Sequence, residues 1–109
     1  MGGQGRFGGH FVMGHVDGVA ELLSDTPVGQ DHMLRVVIPS AYAKYTIDKG
    51  SICLDGISLT IANIISEGEL EFWITPHTWE RTNLHALPMG YKMNFEVDMI
   101  AKYVEKMFR

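Results

Sequence analysis

The sequence predicts a mainly β fold, a small closed Greek-key antiparallel barrel with short helices and a C-terminal amphipathic helix. Three observations carry this expectation. Short runs in which apolar and polar residues alternate recur along the chain, as half-buried strands require. Asp-Gly and Glu-Gly dipeptides separate several of them and supply the backbone freedom of hairpin turns. The tail then changes period from two to between three and four, the repeat of a helix with one apolar stripe. Five to seven short strands, each with one polar face, are best housed by closure, which removes exposed strand edges.

Taken in order, the Gly-rich start MGGQGRFGGH reads as a flexible lead-in over residues 1–7. From His10 to Leu23 the run is β-prone, one long bent strand or a hairpin, with Gly14 as a bulge and Asp17-Gly18 as a turn or kink. His32 to Ile38 alternates, Leu34, Val36 and Ile38 facing one side. Pro39-Ser40 ends that strand, SAYAKYT suits a single helical turn, and Asp48-Lys49-Gly50 turns the chain. The stretch KGSICLDGISLTI, Lys49 to Ile61, reads as two strands joined at Asp55-Gly56. Glu67-Gly68 makes the next turn, and Leu70, Phe72 and Ile74 alternate with Glu69, Glu71 and Trp73. Pro76 opens a short helix in PHTWERTNL, and Met93, Phe95 and Val97 mark the last strand. In DMIAKYVEKMFR, Met99, Ile100, Tyr103, Val104, Met107 and Phe108 fall on a helical stripe, with Asp98 placed as its cap. So short a helix must dock to be stable. Two readings stay open, packing on its own barrel and sharing between subunits. The divisions are therefore residues 1–7, a barrel over 8–98 and a helix over 99–109.

Composition bounds what such a fold can do. At 109 residues, 46% hydrophobic and 20% charged, the chain has room for one core. A net charge of −4 gives little reason to approach phosphate backbones or anionic lipid, so nucleic acid and membrane are not expected partners. With Cys53 as the single cysteine there is no intrachain disulfide framework, and a cytoplasmic location is expected. His10 and His15, five apart, fall on opposite faces of a regular strand, and no histidine completes a recognisable ligand spacing, so no metal site is expected. Cys53, between Ile52 and Leu54 with no cation beside it, reads as a small buried hydrophobe rather than a nucleophile.

The hairpin over Lys49 to Ile61 carries the functional signal. After its turn, Ile57, Leu59 and Ile61 point one way and Ser58 and Thr60 the other, which sets two hydroxyls on one face. A second polar run, Thr75-Pro76-His77-Thr78, follows an alternating strand, so two strand ends present small polar groups to one ligand. The same pattern also describes the solvent face of an antiparallel strand, and the residues alone leave both readings open.

Four motifs, GGHFVMGHVDG, KGSICLDGISLT, ITPHTWERTNL and MNFEVDMIAKYVE, together resemble the second, C-terminal, lumazine-binding repeat of riboflavin synthase of the alpha-chain type. The likeness runs from Gly8 to Phe108 with the motifs in order. It implies the riboflavin synthase domain-like barrel, and a piece of a protein with two such repeats, because the first repeat's usual opening is absent. It further implies a transferase of riboflavin biosynthesis, needing neither metal nor cofactor, which dismutates two molecules of 6,7-dimethyl-8-ribityllumazine to riboflavin and 5-amino-6-ribitylamino-pyrimidinedione. The family works as a homotrimer, its site lying between the first barrel of one subunit and the second of a neighbour. Lys49, Ser58, Thr60, Thr75 and Thr78 match ligand-contacting positions, and His10, His15 and Asp98 match polar positions at the site. Thr75 stands where an aliphatic residue is common, which implies a contact through its backbone. His15, then His10, is the implied proton carrier. These types suit the chemistry: a ribityl chain is a row of hydroxyls that Ser, Thr, Lys and Asp can hold, and a flat pteridine suits an apolar slot with backbone amides. A carrier of lumazine or flavin without catalysis, of the antenna type, fits the same residues, and the isolated repeat is expected to be weakly active or inactive.

Overall fold

The structure, a computed structural model, describes residues 16–107 and, before them, the backbone of two short strands, β1 (Arg6–Phe7) and β2 (His10–Phe11), which pair antiparallel. The barrel follows: β3 (Gly18–Val28), β4 (Asp31–Val37), β5 (Ser51–Leu54), β6 (Ile57–Ser66), β7 (Glu69–Ile74) and β8 (Lys92–Val97). Their order around the barrel is β3-β4-β7-β6-β5-β8, and β8 closes antiparallel on β3. Hairpin-linked β5, β6 and β7, with β8 returning beside β5, make the expected Greek key.

Alternation explains the core. Leu34, Val36 and Ile38, then Ile52 and Leu54, Leu59 and Ile61, Leu70, Phe72 and Ile74, and Met93, Phe95 and Val97 all lie buried within the barrel. Arg35 stays on the outer face of β4, where its guanidinium donates to the Glu71 carboxylate across the β4–β7 ladder at 2.6 Å. The β6–β7 turn depends on Gly68, whose φ is +88° and whose missing Cβ would stand 2.7 Å from the Ile38 carbonyl oxygen.

One strand departs from the sequence reading. β3 begins at Gly18 and is not continuous with the His10 region; it runs on through Pro27, where no strand was expected. Pro27 is tolerated because β8 pairs with β3 only over Gly18–Glu21, so that edge of β3 lacks a ladder partner beyond it. The register slips between Leu22 and Ser24, leaving Leu23 outside at a bulge that bends the strand. Of the expected lead-in over residues 1–7, only the pairing of Arg6–Phe7 is described, and the Gly14 bulge lies outside the described residues.

The helices form where expected. A 3-10 turn spans Ser40–Tyr45, α1 spans Pro76–Arg81 with proline in its first turn, and α2 spans Met99–Met107. Asp98 caps α2 by accepting the Ile100 N–H at 2.9 Å. The attachment of α2 differs from simple stripe docking. Ala101 is its buried residue, while Ile100, Tyr103 and Met107 are 60, 62 and 75% exposed. Asp17 tethers it: one carboxylate oxygen accepts the Val97 N–H at 2.8 Å and the other accepts Lys102 Nζ at 2.8 Å. No helix among the described residues is long and apolar enough to cross a membrane.

Candidate functional site

The β5–β6 hairpin positions the central groups. Asp55 (φ 48°) and Gly56 (φ 83°) both take the left-handed conformation, the tight turn that Asp-Gly favours. The resulting register sets Ser51 opposite Thr60 and Cys53 opposite Ser58, and β8 adds Glu96 opposite Cys53. Ser58, Cys53 and Glu96 thus form one row across three strands, on the face away from the core side chains of Ile52 and Leu54. All three are buried nonetheless, and β2, which carries His10, lies against β5. Ser58 Oγ finds no hydrogen-bond partner among the described residues, an unusual state for a buried hydroxyl. Burial, followed by the Glu96 charge, pushes the Cys53 thiol up to about 11, so at neutral pH it is an unreactive thiol, as its surroundings in the sequence suggested.

One residue pair along β6 the environment changes. Thr60, on the face of Ser58, is exposed. Beside it the chain turns through Lys49, whose φ is 69° and whose N–H donates to the Ile61 carbonyl at 2.9 Å. The Lys49 ammonium reaches the Ala62 carbonyl at 3.4 Å and remains exposed. A cleft opens near these groups, lined by Tyr45, Ile47, Gly50, Ser51, Asp98 and the start of α2, with a cavity volume of about 70 Å³. Ligand pockets hold roughly 300–1,000 Å³, so this opening is several-fold smaller and takes at most one part of a small ligand. Asp98 thus lines the cleft itself, while Lys49 precedes its wall residue Gly50 in the chain and Thr60 pairs across the hairpin with its wall residue Ser51.

Thr75 and Thr78 sit at the end of β7 and in α1. Thr75 is exposed and extended at the N-cap of α1, and its carbonyl accepts the Trp79 N–H at 2.9 Å. The β6–β7 pairing ends at Ile61 opposite Phe72, and Thr75 lies just past the end of β7. His15 and the side chain of His10 lie outside the described residues. Ser51 and Tyr45 of the cleft, and Glu96 of the buried row, were not singled out from sequence. For Ser51 the signal was there, since alternation in KGSICLDG already sets it on the face of Cys53. Among the described residues no group of three or more His, Cys, Asp or Glu is placed to hold a metal ion.

A closed Greek-key barrel with a hydroxyl and a carboxylate lining a small open cleft has the make-up of a domain for a small polar ligand. The chain belongs to the lumazine-binding domain family, whose model matches residues 13–98. It is 41% identical over 106 residues to riboflavin synthase of Mycobacterium tuberculosis, covering 95% of this chain and 53% of that protein. Riboflavin synthase of Photobacterium phosphoreum is 41% identical over 102 residues, 94% of this chain and 46% of that one. The Bacillus subtilis enzyme is 39% identical over 104 residues, 95% and 48% of the two chains. The chain thus spans about half the length of the relatives it matches. Among solved structures, LumP complexed with 6,7-dimethyl-8-(1'-D-ribityl) lumazine superposes with a TM-score of 0.76 at 23% identity, over 83% of this chain and 50% of that one. LumP complexed with riboflavin gives 0.75 at 23% identity, over 85% and 50%. At that identity the likeness establishes a shared barrel.

Proposed function

We propose that this barrel is one half-site of a riboflavin synthase, holding one molecule of 6,7-dimethyl-8-ribityllumazine, and that it corresponds to the second repeat of that enzyme. The observation that supports the reading is the family match over residues 13–98, together with a cleft that Asp98 lines and whose wall residues Gly50 and Ser51 neighbour Lys49 and Thr60; these residues, with Thr75 and Thr78, are the positions that the resemblance matches to the family's site. Thr60 and Asp98 can hold ribityl hydroxyls, which both donate and accept, while Lys49 can stabilise negative charge developing on the ring. The dismutation removes a proton from the C7 methyl of one lumazine and adds that carbon to the other, after which a four-carbon unit passes across. Two rings held face to face supply much of the rate as effective concentration. One barrel presents one ring, so a complete site needs a second barrel. His15, with His10 behind it, is the proposed proton carrier. In the cytoplasm, the proposed location, the assembled protein works as a trimer.

Identity near 40% over almost the whole chain supports a synthase above an antenna-type carrier, which leans on fold likeness at 23%. Fluorescence titration of the full chain with 6,7-dimethyl-8-ribityllumazine tests the binding half: saturation is expected, and none at millimolar ligand would sink the reading. Riboflavin formation tests the rest. The chain alone should turn over far more slowly than a two-repeat synthase, and adding a separately made first repeat should raise the rate, whereas adding a second repeat should not. Equal activity per barrel without a partner would refute the half-site argument.

A further inference from the structure

The short helix α1 has no means of holding itself in place. It is six residues long, none of them buried, and its N-cap residue Thr75 makes no side-chain capping bond. A helix of that length is unstable alone, so an outside contact must fix it. The structure supplies one. The His32 imidazole of β4 lies flat on the Trp79 indole of α1, ring centroids 3.6 Å apart and planes 7° from parallel. His32 Nδ1–H donates to the Asp25 carboxylate of β3 at 2.8 Å, which stops the imidazole from turning about its own bond and so fixes the plane on which the indole rests. From the other side, His85 donates Nδ1–H to the Trp79 carbonyl at 2.9 Å. Trp79 itself is half-buried against the barrel core.

We infer that His32 is a positioning residue for the ligand site: by stacking on Trp79 it holds α1, and with it Thr75 and Thr78, in place against β4 at the end of β7. The inference rests on the reading of Thr75 and Thr78 as ligand contacts. Asp25 orients, His32 stacks, Trp79 transmits, and Thr78 is the residue immediately before Trp79 in the chain. The hairpin tip between β3 and β4, some distance along the chain from any residue of the cleft, thereby becomes part of the site's support. The role requires a flat ring at position 32 and does not require the imidazole to gain or lose a proton.

The experiment compares His32→Ala, His32→Leu and His32→Phe in the full chain, by amide hydrogen exchange and by fluorescence titration with 6,7-dimethyl-8-ribityllumazine. In His32→Ala, α1 amides should exchange about two- to twelve-fold faster, the range expected for loss of an aromatic stack, with β4 and β7 amides unchanged. The dissociation constant should rise by a similar factor. His32→Leu, which fills the space without a π face, should behave like Ala and serves if the cavity left by Ala unfolds the chain. His32→Phe should bring exchange and affinity part of the way back toward the wild type, because it keeps the stack but loses the hydrogen bond to Asp25. Unchanged exchange in both Ala and Leu, or no rescue by Phe, overturns the inference. Faster exchange with unchanged affinity overturns the ligand role while wild-type saturation leaves the half-site reading standing. Absence of wild-type saturation removes that reading and the ligand role together, and the exchange data then judge the stack alone.

Discussion

At the scale of single residues, Cys53 illustrates how burial decides chemistry. Its thiol is held at about 11, while an unfolded cysteine titrates near 8.5. The raised value means that the folded state keeps the proton longer than the unfolded state does. The associated stability is whole below about pH 8.5 and is lost as the pH rises toward about 11. Chemical denaturation at pH 8 and pH 10.5 should show a drop in stability that Cys53→Ala reduces, and the native thiol should resist alkylation at pH 8. Thr60 makes the opposite case, an exposed hydroxyl beside a cleft. Thr60→Val should leave thermal stability nearly unchanged and weaken lumazine binding by about 1 kcal/mol, roughly fivefold, as loss of one hydrogen bond does. An unchanged dissociation constant would mean that Thr60 merely faces solvent.

At the scale of elements, α2 is the sharpest case. Its apolar stripe was legible from spacing, and so was its cap, but not the direction the stripe would face. That direction is set by Asp17, whose carboxylate takes Lys102 and the Val97 amide, contacts across 85 and 80 residues that no local pattern encodes. With Ile100, Tyr103 and Met107 outward, deleting 99–109 should lower the mass per particle measured by light scattering. Equal masses would mean that the helix serves its own barrel alone. The strands divide along the same line. β4, β7 and β8 announced themselves by clean alternation and bury the predicted residues, whereas the second half of β3, SDTPV, hid behind a proline that is acceptable only because β8 stops short of it. Of the candidate site, Lys49, Ser58 and Thr60 were readable from one hairpin. The burial of Ser58 and Glu96 was not, since it depends on what lies over the barrel's outer face rather than on the strand itself.

At the scale of the whole molecule, closure has a consequence in time. The strands that shut the barrel are β3 and β8, and the carboxylate of Asp17 draws together groups from both ends of the described chain. Contacts of such sequence separation are rewarded only after a large loop has been closed, which slows folding of all-β domains to milliseconds or seconds. Stopped-flow refolding should fall in that range. Asp17→Asn, which keeps the amide contact and weakens the lysine pair, should raise the unfolding rate more than it lowers the folding rate if the tether forms late. On a ribosome the barrel cannot seal until β8 has emerged, so the earlier strands must wait with unpaired edges exposed. The seam between β3 and β8 is accordingly where an unfinished chain is most open to pairing with a neighbour.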